Sequence, residues 1–432
     1  MRFTIFSILL FVLFPGNVVS SAETKVLLGG TVVDLDGQAN LEDAVVLIKG
    51  ERIAAIGGRS EITIPANAEV IDTQGLWLIP GLMNMHVHMG LVLPGKMAAE
   101  HGGESEADLV LRMAAFAEQI LQAGVTTIRS PGNSWPPRIL SSRPDIALQE
   151  AIKNGTAHGP RIFSAGEALR ITGGHGSRPG ETYNDGPVEL IEAARREISL
   201  GASWIKIMIS GGIATQGGNL SAALMTPEEI KAVVDAAHRF GARITAHSGS
   251  SEATSIAVDA GIDCIEHGYF LDRNVLKKMK KRGTWLVPTI VVSQPATAPF
   301  FEKIGSPDWY LKRRDSAGKE HWKALKMAIE EDVNIALGTD QLPSEPNDGT
   351  TATAREAQYY VEAGMTPLQA LRSATIAPAQ MLGADNDIGS LEVGKYADIV
   401  ILAVDPVEDI KALRDILLVM KGGEIYRNEL AN

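Results

Sequence analysis

The stretch Leu78–Gly90, LIPGLMNMHVHMG, decides how the rest of the chain is read. An apolar run ends in Pro80-Gly81, and His86 and His88 follow with Val87 between them. Side chains two apart on a strand point to the same side. A strand over Leu78–His88 therefore puts both imidazoles on one face, an arrangement that suits a divalent cation. Two such histidines also fit a plain strand end, so the metal reading needs further donors later in the chain.

From Met83 onward the pattern alternates between strand and helix. Strands are expected at Leu78–His88, Thr126–Arg129, Arg161–Ala165, Trp204–Ser210, Arg243–His247, Cys264–His267, Trp285–Ile290 and Ile335–Asp340. Amphipathic helices are expected at Asp108–Ala123, Pro187–Leu200 and Thr226–Phe240, the last opening with a capping threonine, a proline and two acids. Eight strands with intervening helices read as α/β, a (β/α)8 TIM barrel over residues 81–384. An open doubly wound sheet is the alternative. No GxGxxG follows an early strand, and the spread of site residues over so many strand ends favours the barrel.

Short β segments flank this region. Lys25–Asp36 reads as a strand pair broken at Gly29-Gly30, Asp43–Gly57 as a hairpin and Glu69–Leu78 as a further strand. Ile388–Val404 and Ile416–Tyr426 return to β at the other end. The simplest arrangement is a small β-sandwich built from residues 23–80 and 385–432. Two segments, Leu91–Ala107 and Val291–Val333, are long for connections and should sit over the barrel mouth. The second carries Phe300, Phe301, Trp309 and Tyr310, which suit either packing within the loop or substrate contact.

Composition bounds the function. The 432 residues carry 40 basic and 52 acidic side chains, net −12, which gives no support for nucleic-acid or anionic-membrane binding. Residues 1–22 read as a signal peptide: Arg2, an apolar run Phe3–Phe14 too short to span a bilayer, Pro15-Gly16, then the small residues Ser20 and Ala22. Cleavage near Ala22 implies a periplasmic or secreted protein. No cysteine near that point could carry a lipid, and the single Cys264 forms no internal disulfide. No later segment is expected to span a membrane, and a homo-oligomer is left open.

Within Trp204–Ser210 (WIKIMIS), Ile205, Ile207 and Ile209 face one way, suited to helices. Trp204, Lys206, Met208 and Ser210 face the other, into the lumen. A buried lysine cation needs a partner. It pairs with an acid such as Asp340, or its free amine reacts with CO2 to give a carbamate able to bridge two metals. The residues alone favour the ion pair. His247, His267 and Asp340 stand at the ends of three further strands, with Ala336 and Gly338 leaving space beside Asp340. Each has an ordinary structural reading. Four histidines, a lysine and an aspartate at five strand ends are harder to explain by packing, because a barrel gathers those ends at one mouth.

With these residues in place the sequence resembles the amidohydrolase superfamily of metal-dependent hydrolases. It most resembles the branch of secreted Xaa-Pro and Xaa-Lys/Arg dipeptidases, near imidazolonepropionase-like proteins and ochratoxin-hydrolysing amidases. PGLMNMHVHMG, WIKIMISGG, ITAHS, IEHG, LVPT, LGTD and SLEVGKYADIVIL carry the resemblance in order over nearly the whole mature chain. It implies two divalent ions, most often zinc. His86, His88 and Asp340 would hold one, His247 and His267 the other, and Lys206, N6-carboxylated, would bridge both. The family pattern thus reverses the ranking for Lys206. Asp340 would accept a proton from the attacking water and pass it to the leaving amine.

His175, in Thr172–Gly176 (TGGHG), is the best additional catalytic candidate, placed to bond a carbonyl oxygen or a substrate carboxylate. Arg170 and Arg178 flank it as weaker candidates for a carboxylate. Glu266 should point away from His267 and act in support. His101, His158, His238 and His321 read as surface residues. Three positions depart from the branch: Arg129-Ser130 where an Arg-Asp pair is usual, Gly249 where a tyrosine is frequent, and Asp348-Gly349 in place of His-Gly. The expectation is a small-molecule amide as substrate, a dipeptide or N-acyl amino acid. A lactone, carbamate, ester or cyclic amide is the alternative, and a non-catalytic binding protein comes last.

Overall fold

A computed structural model describes residues 24–133, 143–342, 345–347 and 349–430. The proposed leader, residues 1–22, lies outside them. Both chain ends contribute to one eight-stranded sheet. Its path runs Glu424–Asn428, Ile416–Lys421, Ile399–Leu402, Trp77–Pro80, Thr24–Val32, Leu41–Lys49, Arg52–Gly58, with Glu69–Asp72 paired to Thr24–Val32. Lys25–Asp36 is not a strand pair. Thr24–Val32 is one strand whose register shifts between Leu28 and Gly30 and again between Gly30 and Val32. Bulges thus absorb the glycines that suggested a break. Ile48 and Ile53 from one side of the sheet share a core with Ile399, Leu418 and Met420 from the other.

Between these ends the sheets are parallel and the connections helical. Leu82–Asn84, Val125–Ser130 and Arg161–Ser164 pair in one sheet. Trp204–Met208, Arg243–Ser248, Cys264–His267 and Trp285–Val287 pair in another. Leu169 forms an isolated parallel bridge with Ile207, and Ile335 forms one with Leu286. Main-chain bonds continue from there: Ala336 N–H to Leu286 O at 3.0 Å, Met85 N–H to Leu337 O at 2.7 Å and Asp340 N–H to His86 O at 2.9 Å.

The helices form where the pattern requires. In Pro227–Arg239, Thr226 and Glu229 make a reciprocal cap, and Ile230, Val233, Val234 and Ala237 are the buried stripe. That stripe packs with Ile205, Ile207 and Ile209 in the main core, whereas Trp204 faces a separate cluster with Met85, Cys264 and Val287. The alternation read from WIKIMIS is therefore the alternation observed.

Three expectations are corrected. Leu78–His88 is two strands, Trp77–Pro80 and Leu82–Asn84, in different sheets. Gly81 sits at the crossing, where a Cβ would lie 2.1 Å from Thr126 Oγ1, so only glycine passes. Ile335–Asp340 makes a bridge and separate bonds rather than a regular strand. Val291–Val333 is mostly helical, with Ala298–Lys303 and the 23-residue Asp308–Glu330. Its many lysines, arginines and acids hide the apolar stripe Ala317, Ala324, Leu325 and Ala328.

Candidate active site

The shared direction of the parallel strands brings their C-terminal ends to one place. His86 and His88 follow Leu82–Asn84, Lys206 lies on Trp204–Met208, His247 on Arg243–Ser248 and His267 ends Cys264–His267. Their rings, joined by His175, form a row. His175 stacks on His247 with centroids 4.2 Å apart, and His247 meets His267 at 4.6 Å. His267 meets His86 at 4.8 Å, and His86 meets His88 at 4.9 Å. Asp340 joins the far end: its Oδ1 lies 3.3 Å from His86 Nε2 and 3.4 Å from His88 Nε2. The two Nε2 atoms are 3.0 Å apart.

Four of the five imidazoles have one nitrogen fixed by the surrounding protein. Glu266 Oε2 lies 2.7 Å from His86 Nδ1. Thr289 Oγ1 lies 2.7 Å from His267 Nδ1, Gly211 O lies 3.0 Å from His247 Nε2, and Thr215 Oγ1 lies 2.6 Å from His175 Nδ1. The opposite nitrogen is left for the site. His88 Nδ1, by contrast, is buried without a hydrogen-bond partner. Burial chiefly pushes His88 and His175 down to about 3, and holds His247 and His267 well below the usual histidine value. Neutral imidazoles with a free lone pair are the form that ligates metal ions.

Lys206 is buried, and burial lowers its pKa to about 8 despite the acids nearby. Among the described residues no hydrogen bond or ion pair holds its Nζ. The ion pair with Asp340 favoured from the residues alone is absent there. Asp340 keeps its carboxyl below the ordinary value: burial opposes this, but His86, His88 and Lys206 outweigh it. Asp340, His267 and Thr289 all adopt left-handed φ, at 51°, 66° and 53°. Three such non-glycine residues around one site cost on the order of 1–3 kcal/mol each.

A cavity of 770 Å³ opens over the row. Arg178 and His175 line it, as do Phe300, Phe301, Trp309 and Tyr310. These four aromatics pack on one another as well, so both readings of them hold. Arg170 does not line it. Its guanidinium is buried and donates to the carbonyls of Ala168 and Gly176, so it shapes the loop and is no carboxylate receptor. His321 is corrected too. It is buried, bonds Ser293 Oγ through Nδ1 and turns Nε2 to the carbonyls of His267 and Pro288. His101 also lines the cavity, beside Glu104 and Arg112.

Two features escaped sequence reading. Glu266 does point away from His267, but its carboxylate backs His86 and is clamped by Arg129 and the Thr245 hydroxyl. Tyr269 stacks on His267 with centroids 5.2 Å apart, almost parallel. A Cβ at Gly249 would come 2.9 Å from Tyr269 Cδ2. Glycine at 249 thus leaves room for a tyrosine supplied two residues after the next histidine.

Residues 77–426 match the model of the amidohydrolase family. The chain belongs to the amidohydrolase family. It is similar to the ochratoxinase of Aspergillus niger, with 30% identity over 96% of this chain and 89% of that protein. The structure of that ochratoxinase superposes with a TM-score of 0.80 and covers 95% of this chain and 96% of its own. A Xaa-Pro dipeptidase with methionine in its active site has 30% identity and a TM-score of 0.82, covering 94% of this chain and all of its own. A prolidase bound to N-methylphosphonate-L-proline has 29% identity and a TM-score of 0.84, with the same coverage. This amidohydrolase is therefore a hydrolase acting on amide bonds. His86, His267 and Asp340 offer ligand atoms within 4.8 Å of one another, as metal use in the family requires.

Proposed function

We propose that this is a secreted or periplasmic amidohydrolase with two divalent ions, releasing an amino acid from a dipeptide or an N-acyl amino acid. The architecture proposed is a (β/α)8 barrel over residues 81–384 and a sandwich over 23–80 and 385–432. The bonds linking Leu286, Ile335–Asp340 and Met85 support the barrel, and the core shared across the end sheet supports the sandwich. The leader over residues 1–22 supports export.

The observation that carries the reading is the convergence of His86 Nε2, His88 Nε2 and Asp340 Oδ1 within 3.4 Å, at one end of the imidazole row. His86, His88 and Asp340 would hold one ion, His247 through Nδ1 and His267 through Nε2 the other. Lys206 as carbamate would join them, in keeping with its lowered pKa and unpaired Nζ. Zinc suits this donor set. When bound, the ions supply a water of lowered pKa and polarise the scissile carbonyl.

The protein's own groups do the rest. Asp340 accepts the water proton and returns it to the leaving nitrogen. His175 keeps Nδ1 on Thr215 and offers Nε2 to the carbonyl oxygen or the substrate carboxylate. Arg178, half-exposed at the rim and 3.6 Å from Glu181, would exchange that surface pair for the substrate carboxylate. The cavity aromatics exclude water from the amide. The proposal is tested with Asp340→Asn. Turnover of N-acyl amino acids or dipeptides should fall by at least about 10²-fold while the fold is kept. Unchanged turnover removes Asp340 from its role.

A further inference from the structure

A reversal of the chain after His267 lays Tyr269 on the imidazole row. Gly268 takes a left-handed φ of 76° and donates its N–H to Ser248 O and Glu266 O, both at 2.9 Å. Glycine adopts that φ without strain. The turn folds the phenol ring back over the His267 imidazole, the two planes 6° apart. The ring also meets His247 at 6.2 Å and His321 at 4.8 Å between centroids. Ile213, Phe301 and Ala317 belong to the same packed cluster. Packing therefore fixes the ring beside the middle of the row, not at either end.

Tyr269 is 2% exposed and lines the cavity, yet among the described residues no hydrogen bond holds its hydroxyl. Buried hydroxyls ordinarily have a partner. Burial, Asp340 and Tyr310 all raise its pKa, so it keeps its proton. A protonated phenol beside the reacting groups, with no acceptor of its own, is a donor held ready. Tyr310, the cavity's other phenol, makes its ring contacts with Phe301 and Trp309 instead. The reaction needs such a donor. As water adds to an amide, the carbonyl oxygen gains negative charge, and a donor aimed at it is worth more in the transition state than in the ground state. His175 stands at one end of the row, with Arg178 three residues on in the same loop. A carboxylate bound there sets the scissile amide over the middle, where Tyr269 lies.

We infer that Tyr269 is a catalytic residue whose hydroxyl donates to the scissile carbonyl oxygen, which leaves His175 and Arg178 to the substrate carboxylate. This rests on the amidase reading above and adds a residue to it. The phenol gives up no proton. The proton that moves is the water's, carried by Asp340 to the leaving nitrogen, and the bond that breaks is still the amide C–N bond.

Tyr269→Phe keeps the ring on His267 and removes only the oxygen. In the metal-loaded enzyme kcat for N-acetyl-L-phenylalanine should fall about 10²-fold with KM nearly unchanged, as loss of one oxyanion donor does. A second readout needs no turnover. N-(methylphosphonyl)-L-phenylalanine carries charged oxygens on a tetrahedral phosphorus, as the transition state does on carbon. Its Kd by calorimetry should weaken about 10²-fold in the variant, whereas that of the product L-phenylalanine should move less than about twofold. Metal content and thermal unfolding should match the wild type. Wild-type kcat and phosphonate affinity in the variant overturn the role. So does a loss of kcat that tracks a loss of bound metal, which would make the ring a mere support for His267. Failure of the amidase reading looks different. A wild type that hydrolyses no acyl amino acid or dipeptide, yet binds the phosphonate tightly only with the Tyr269 hydroxyl present, sinks that reading and keeps the donor. Equal amide turnover in both proteins does the reverse.

Discussion

Glu266 and His86 meet at 2.7 Å, Oε2 to Nδ1, inside a completely buried pair of side chains. Arg129 holds the other oxygen of Glu266, and its Nε donates to Met85 O at 2.7 Å. Burial would raise the Glu266 pKa, but Arg129 and His86 outweigh it and hold the carboxyl well below its usual value. The carboxylate thus fixes which nitrogen of His86 faces the site. Glu266→Gln leaves Arg129 buried without its counter-charge, which should cost about 3–5 kcal/mol in denaturant unfolding of the metal-free protein. Loosening of His86 should also weaken metal binding roughly 10–100-fold in a competitive titration. Wild-type values for both would show that Glu266 is a passenger.

Gly338 lets the Asp340 segment close on His86. A Cβ there would come 2.4 Å from Val287 Cγ1 and 2.9 Å from His86 N. Gly338→Ala should therefore destabilise the protein by about 1–3 kcal/mol and displace His86, with a loss of bound metal larger than the loss of stability alone would give. Thermal unfolding with metal analysis checks both.

His321 reports on acid stability. It is buried neutral, with its pKa lowered to about 4 chiefly by burial, against 6.5 for an ordinary histidine. Between those two values the unfolded chain binds a proton that the folded chain does not. Stability therefore rises with pH through this window and is complete above 6.5, a contribution of about 3 kcal/mol. Denaturant unfolding of the metal-free protein between pH 4 and 7 should show a shallower pH slope, by up to one proton, in His321→Gln. An identical slope would mean that His321 titrates normally.

Lys206→Arg tests the bridging role. Arginine keeps a cation at all relevant pH and cannot give the free amine that reacts with CO2. The variant should bind fewer ions than the wild type, and mass spectrometry of wild type in bicarbonate should show an added CO2 on the Lys206 peptide. Equal metal content in the variant would remove the bridge.

Much of this was legible from residues alone, because period-2 alternation and strand-end placement are local signals. The faces of Trp204–Met208 were read that way, and so was the grouping of His86, His88, His247, His267 and Asp340, although His86 and His88 lie beyond the strand Leu82–Asn84 and Asp340 beyond an isolated bridge; their roles as ligands came from the family resemblance. What was missed depends on contacts between distant segments. The clamp of Arg129 on Glu266 joins residues 137 apart in the chain. Tyr269 takes the space beside Gly249 only because two strand ends lie side by side. Arg170 and His321 looked exposed because a polar side chain satisfied by main-chain carbonyls leaves no mark in the sequence. The helix Asp308–Glu330 was overlooked because its apolar stripe uses alanines among charges.

The central claim is that the imidazole row and Asp340 work as a binuclear centre. The most direct measurement is metal content and amide turnover on the same sample, before and after chelation. The account predicts about two divalent ions per chain, turnover that disappears with them and returns on adding them back. Full turnover in protein stripped of divalent ions would contradict it.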